Sequence, residues 1–168
     1  MSPTTSSPYS SIRASARWRL ASVLIAVGFG AFVAVPAGAV AGVHKASSPT
    51  VQVRNTKLGK ILVNGKGDTL YLWAKDKHGK SVCTGGCLSV WPLVLVSGKP
   101  TAGHGVQKSK LGEYKVSNGK FEVTYNHHPL YTFVSDTKPG AITGQGNTTF
   151  GGPWWVVSPA GNAITKKP

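Results

Sequence analysis

The sequence predicts an all-β protein: a small sandwich or barrel-like domain of about eight or nine short strands. Two related hairpin units build it, and an N-terminal apolar helix, read as a signal peptide, precedes it. Three observations predict this. Short runs rich in β-branched and aromatic residues alternate with Gly, Asn and Pro, and no long window carries apolar residues at helical spacing. One motif, Tyr-x-aromatic-x-x-Asp, occurs twice, at Tyr71–Asp76 and Tyr131–Asp136, 60 residues apart. The N-terminal stretch has a composition of its own.

That stretch begins polar and free of acids. Arg13, Arg17 and Arg19 lead into an apolar run from Leu20 to about Val35, followed by Pro36 and the small residues Ala37 to Ala41. A basic start, an apolar core and small residues at a cleavage point make a signal-peptide layout, with cleavage after Ala39 or Ala41. The competing reading keeps Leu20–Val43 as an uncleaved membrane anchor. No cysteine precedes Cys83, so lipid attachment at the cleavage point is excluded. The chain therefore divides into a signal peptide (1–41), a short polar linker (42–50) and a β-domain (51–168) with internal repeats at about 58–97 and 113–161. The destination is secreted or extracytoplasmic.

Strands are expected in order along the domain. Val51–Arg54 and Leu58–Asn64 come first, and a turn at Asn64–Gly67 sends the chain back through Thr69–Trp73. Leu93–Val96 follows Pro92. Glu113–Ser117 and Lys120–Tyr125 flank Asn118-Gly119, a pair suited to the positive φ angles of a type I′ hairpin turn. A turn at Asn126–His128 leads to Leu130–Val134, and Trp154–Ser158 with Asn162–Thr165 makes a last hairpin. Around both motifs the order is the same: a strand, a polar turn, Leu-Tyr-x-aromatic, Asp, a Gly-containing loop, then tryptophan (Trp91 or Trp154-Trp155). Two copies make a duplicated unit within one domain, not a solenoid.

These segments resemble a family of bacterial secreted repeats and predicted lipoproteins marked by a Y-x-[FWY]-x-x-D motif. The resemblance also rests on Cys83-Thr84-Gly85-Gly86-Cys87 before Trp91-Pro92-Leu93, on His128-Pro129-Leu130-Tyr131, on Gly140 with Gly144-Gln145-Gly146, and on Trp154 to Pro159. It covers roughly residues 55–161. The family has no assigned function, so the resemblance implies export and implies no activity.

Composition narrows the function. The chain has 168 residues, 19 Lys and Arg against 5 Asp and Glu, and a formal net charge of +14. Cleavage after Ala41 leaves 16 of those 19 cations and all five acids, a net charge of +11. Such an excess attracts anionic cell-envelope polymers or a membrane surface. The lysines are scattered, and no nucleic-acid motif accompanies them, so nucleic acid is not expected as a partner. The sequence sets no oligomeric state.

Residues i and i+2 of a strand share a face, so Tyr71 pairs with Trp73 and Tyr131 with Phe133. Asp76 and Asp136 open turn-prone segments, Asp76-Lys77-His78-Gly79 and Asp136-Thr137-Lys138-Pro139-Gly140. One reading makes the aromatic residues core and the aspartates turn-holders. Another makes Tyr71, Trp73, Asp76, Tyr131, Phe133 and Asp136 a ligand site for a sugar or a cation. A third pairs Asp76 with Asp136 as the carboxylates of a small hydrolase. Cys83 and Cys87 are the only cysteines, and export favours a disulfide between them. The alternative is a metal- or redox-linked pair with nearby histidines. His127 and His128 sit together at a turn, where neighbouring side chains diverge. No nucleophile elbow, zinc-protease motif or phosphate loop is present. The sequence therefore leans against an enzyme, names no catalytic residue or metal ligand, and predicts no cofactor. The expected function is a non-enzymatic binding or structural domain of the cell envelope.

Overall fold

A computed structural model describes residues 50–168. The signal peptide or anchor, and the linker up to Pro49, lie outside them. The described chain is mostly strand with little helix. Its strands are β1 (Val51–Thr56), β2 (Gly59–Asn64), β3 (Tyr71–Trp73), β4 (Leu95–Val96), β5 (Leu111–Lys115), β6 (Phe121–Tyr125), β7 (His128–Pro129) and β8 (Trp154–Val156). Among the described residues there are one short α-helix, α1 (Gly86–Val90), and three single-turn 3-10 helices, and nothing in the apolar spacing predicts α1.

The strands form small sheets that do not close into a barrel. β1 pairs with β2, β3 with β8, and β6 lies between β4 and β5 while also pairing with β7, all antiparallel. The Asn118-Gly119 turn forms with φ of 62° and 69°, the double positive φ that a type I′ hairpin requires. Two expected strands are shorter than anticipated. Tyr131 makes single bridges to Tyr71 and to Leu93, and Ala163 makes one bridge to Val157. Tyr131 thus meets a different segment on either side, and neither contact extends into a ladder.

Two hydrogen-bonded triangles tie the sheets together. Leu62 N–H donates to Val157 O at 2.8 Å, Val157 N–H to Leu70 O at 3.1 Å, and Leu70 N–H to Leu62 O at 3.0 Å. In the other half Val123 N–H donates to Val94 O at 2.9 Å, Val94 N–H to Leu130 O at 2.9 Å, and Leu130 N–H to Val123 O at 3.0 Å. Leu62 corresponds to Val123, Leu70 to Leu130 and Val157 to Val94. Each triangle takes its third corner from the other repeat. The tail of the second repeat completes the first, and the tail of the first completes the second.

Period-2 alternation then sorts the side chains into two cores. Ile61, Val63, Tyr71, Trp73, Trp91, Tyr131, Trp154 and Val156 pack in one. Leu62, Leu70, Leu72, Val123, Tyr125, Leu130 and Val157 pack in the other. Ile61, Leu62 and Val63 are all buried because β2 is covered on both faces, which explains its unbroken apolar run.

Candidate functional site

The two motifs meet at the centre of the domain. Tyr71 and Tyr131 exchange backbone hydrogen bonds, N–H to O, at 2.9 and 3.0 Å. Their side chains then cross. Tyr71 Oη donates to Asp136 Oδ2 at 2.6 Å, and Tyr131 Oη lies 2.8 Å from Asp76 Oδ2. Each repeat's tyrosine therefore holds the other repeat's aspartate. Both tyrosines are fully buried, and both aspartates are half-buried.

Each aspartate also closes its own loop. Asp76 Oδ1 accepts from Val82 N–H at 3.0 Å. Asp136 Oδ1 accepts from Thr143 N–H at 2.8 Å and from the Thr143 hydroxyl. Both motifs bend alike, with Asp76 N–H donating to Trp73 O and Asp136 N–H to Phe133 O. The turn expected to start at Asp76 is displaced by one residue. Lys80 N–H donates to Lys77 O, with His78 and Gly79 at φ of 55° and 71°. In the second loop the turn is Lys138–Ala141, with Gly140 at φ 79° after Pro139.

The aromatic residues form a continuous stack that crosses between repeats in the same way. Trp73 stacks on Trp154 with centroids 4.9 Å apart, Trp154 on Trp91 at 4.0 Å, and Trp91 on Phe133 at 4.3 Å. Tyr71 meets Trp91 edge-on and Tyr131 meets Trp154 likewise, at 5.3 and 5.0 Å. Trp73 and Phe133 are thus the two ends, Trp91 and Trp154 the two middle rings. Edge-to-face and stacked pairs of this kind add to the apolar burial that large rings provide. The indole N–H groups of Trp73, Trp91 and Trp154 are taken up by Gly152 O, Thr149 Oγ1 and Thr149 O. Trp73 is 4% exposed, and Phe133 is partly buried.

The surroundings of the two crossings differ. Tyr131 Oη also lies 2.7 Å from Ser81 Oγ. With one proton to give, the phenol donates to the carboxylate and accepts from the serine. Ser81 N–H in turn donates to Glu122 Oε1 at 3.3 Å, and Glu122 is only 2% exposed. Burial pushes the Glu122 carboxyl up to about 7, against the Ser81 N–H, and the nearby Asp76 charge adds to the rise. Asp76 is also raised by burial, against the donors Val82 N–H and Tyr131 Oη. Burial first, then the partner carboxylate, raises both tyrosines above the usual phenol range. Around Tyr71 the extra partner is Gly144 N–H, 3.3 Å from its hydroxyl.

Cys83 and Cys87 form a disulfide, with Cα atoms 5.4 Å apart across the start of α1. Both are buried in the core that holds the aromatic stack. His127 is exposed at a type I′ turn, and half-buried His128 follows it, held below the ordinary imidazole value by burial. Among the described residues no group of three His, Cys, Asp or Glu is arranged to hold a metal. No described helix is long and apolar enough to cross a membrane.

Sequence reasoning did not single out Glu122, Ser81 or Thr143, and took Gly144 only as part of the family resemblance. The residues that close the two loops, Val82 and Thr143, follow their aspartates by six and seven residues, an uneven spacing that hides the correspondence. Glu122 did leave a signal: it is one of only five acids, set inside the strand Phe-Glu-Val-Thr-Tyr.

The geometry defines a class of protein: a two-repeat β-domain whose halves are interlocked by exchanged tail segments and crossed Tyr–Asp bonds. The chain belongs to the secreted repeat family of unknown function, whose profile matches it twice, at residues 52–95 and 114–158. No curated protein and no solved structure matches it.

Proposed function

We propose that this protein is a non-enzymatic binding domain of the cell envelope. In this reading the duplicated motif is its internal lock, and its basic surface holds an anionic envelope polymer. One observation carries the reading: three of the five acids are drawn into the fold while the cations remain on the outside. Asp76 and Asp136 are engaged by buried tyrosine hydroxyls, and Glu122 is buried beneath Ser81. Residues 50–168 hold 15 of the 19 Lys and Arg, all except Arg13, Arg17, Arg19 and Lys45. A field of that sign concentrates polyanions and weakens as salt rises.

Binding of the exported domain to poly(glycerol phosphate) at graded salt tests the reading. The expected result is an affinity that falls steeply with ionic strength and is unchanged in Y71F and Y131F at temperatures where both remain folded. Absence of binding at low salt would sink it. Loss of binding in a folded Y71F or Y131F would instead make the motif the ligand site.

A further inference from the structure

Arg54 stands apart from the scattered lysines because the fold builds a seat for it. It lies on the exposed side of β1, and its guanidinium rests on two glycines from different repeats. A Cβ at Gly67 would lie 2.9 Å from Arg54 Nη1, and one at Gly140 would lie 3.2 Å from Nε and 3.4 Å from Cζ. Both glycines have positive φ, 93° and 79°, and Gly140 N–H donates to Gly67 O at 2.8 Å. Bare backbone at two bonded positions thus makes a flat bed, and any side chain at either would push the guanidinium off it.

Arg54 lines a groove of about 640 Å³, with Lys57, Asn55 and Thr56 on the same strand-and-turn segment. Pro139 to Thr143, Gln145 and Pro168 also line it. Thr143 there is already committed, its N–H and hydroxyl holding Asp136. Two cations and two amides, Asn55 and Gln145, together with apolar Pro139 and Ile142, suit a charged group carried on a polyol or sugar chain. A planar fork resting on bare backbone suits an oxyanion that accepts two parallel hydrogen bonds.

We propose that the Arg54 groove is an oxyanion subsite, taking one phosphate group of an anionic envelope polymer. The polymer part rests on the functional reading above; the oxyanion part stands on the groove alone. Two measurements separate them. The first follows the Arg54 Nε–H resonance of the exported domain during titration with inorganic phosphate. A saturable shift supports the subsite, and no shift overturns it. The second compares poly(glycerol phosphate) binding by wild type, R54K and K115Q. Lys115 is exposed on β5, away from the groove. R54K keeps the charge and removes the fork, so it should weaken binding about tenfold, whereas K115Q should weaken it less than about twofold. Equal behaviour of R54K and wild type would overturn the subsite while leaving the basic-surface reading intact. A phosphate shift at Arg54 without polymer binding would support the subsite and sink that reading.

Discussion

The Tyr131–Asp76 crossing and the Tyr71–Asp136 crossing share one skeleton and stand in different surroundings. In each, a buried phenol from one repeat donates to a carboxylate from the other, and the second carboxylate oxygen closes a loop. The first loop is then stapled covalently by Cys83–Cys87 and backed by buried Glu122. The second has neither. It is held by packing, with Gly144 pressed against Trp91 and Phe133. Duplication kept the hydrogen bonds that join the repeats and let the support behind them diverge. The crossing is therefore the shared structural requirement, and the support is what each copy could vary.

The packed side should be the more brittle. A Cβ at Gly144 would fall 2.6 Å from Trp91 Cη2, in the middle of the aromatic stack. G144A is expected to cost about 3 kcal/mol, read from the urea midpoint, with a fall in near-ultraviolet tryptophan dichroism. A near-neutral G144A would show that the stack yields and that packing is not what holds the second loop.

Next come the crossings themselves. Y71F and Y131F each remove the hydroxyl donor to a carboxylate and should each cost roughly 2 kcal/mol. The double variant tests whether the two crossings act as a unit. A total well away from the sum of the singles would show coupling through the Tyr71–Tyr131 backbone pair.

The staple is specific to the first loop. C83S/C87S should lower stability by about 2 kcal/mol, as expected for closing so short a ring, and should leave the fold intact. An effect below a few tenths of a kcal/mol would mean that the crossing fixes that loop without it.

Glu122 gives the smallest effect and the opposite sign. Its carboxyl stands near 7 in the folded protein against an ordinary 4.5. Between those values the folded state binds the proton better than the unfolded state does, so stability falls as pH rises through the window. Above pH 7 the cost of the buried charge is fully present. E122Q keeps an oxygen for Ser81 N–H and removes that charge. It should stabilise the domain by on the order of 1–2 kcal/mol at pH 8, and by little at pH 4.5. A gain of equal size at both pH values would rule out the buried charge as its cause.

Much of the local structure was legible in the sequence. Asn118-Gly119 specified its turn because few dipeptides tolerate two positive φ angles. The alternation Tyr71-Leu72-Trp73 put the two aromatic residues on one face. The partner of each aspartate was not legible. A Tyr–Asp spacing within one motif suggests a local pair, yet both bonds run between motifs, and nothing local encodes a contact across 55 or 65 residues. The turn after Asp76 was misplaced by one residue because Asp first and Gly fourth fits a type I turn. The chain instead uses His78 and Gly79 in a type I′ turn, whose twist suits the Lys77–Lys80 pairing. The seat of Arg54 was hidden for a related reason: Gly67 and Gly140 become one surface only once the repeats are assembled.

The exchange of tail segments also sets a timetable. Val157, at the end of the second repeat, is a corner of the triangle that closes the first repeat. A chain that emerges N-terminus first cannot complete even its first repeat until the end of the second is present. The topology itself thus postpones folding until both repeats have been made.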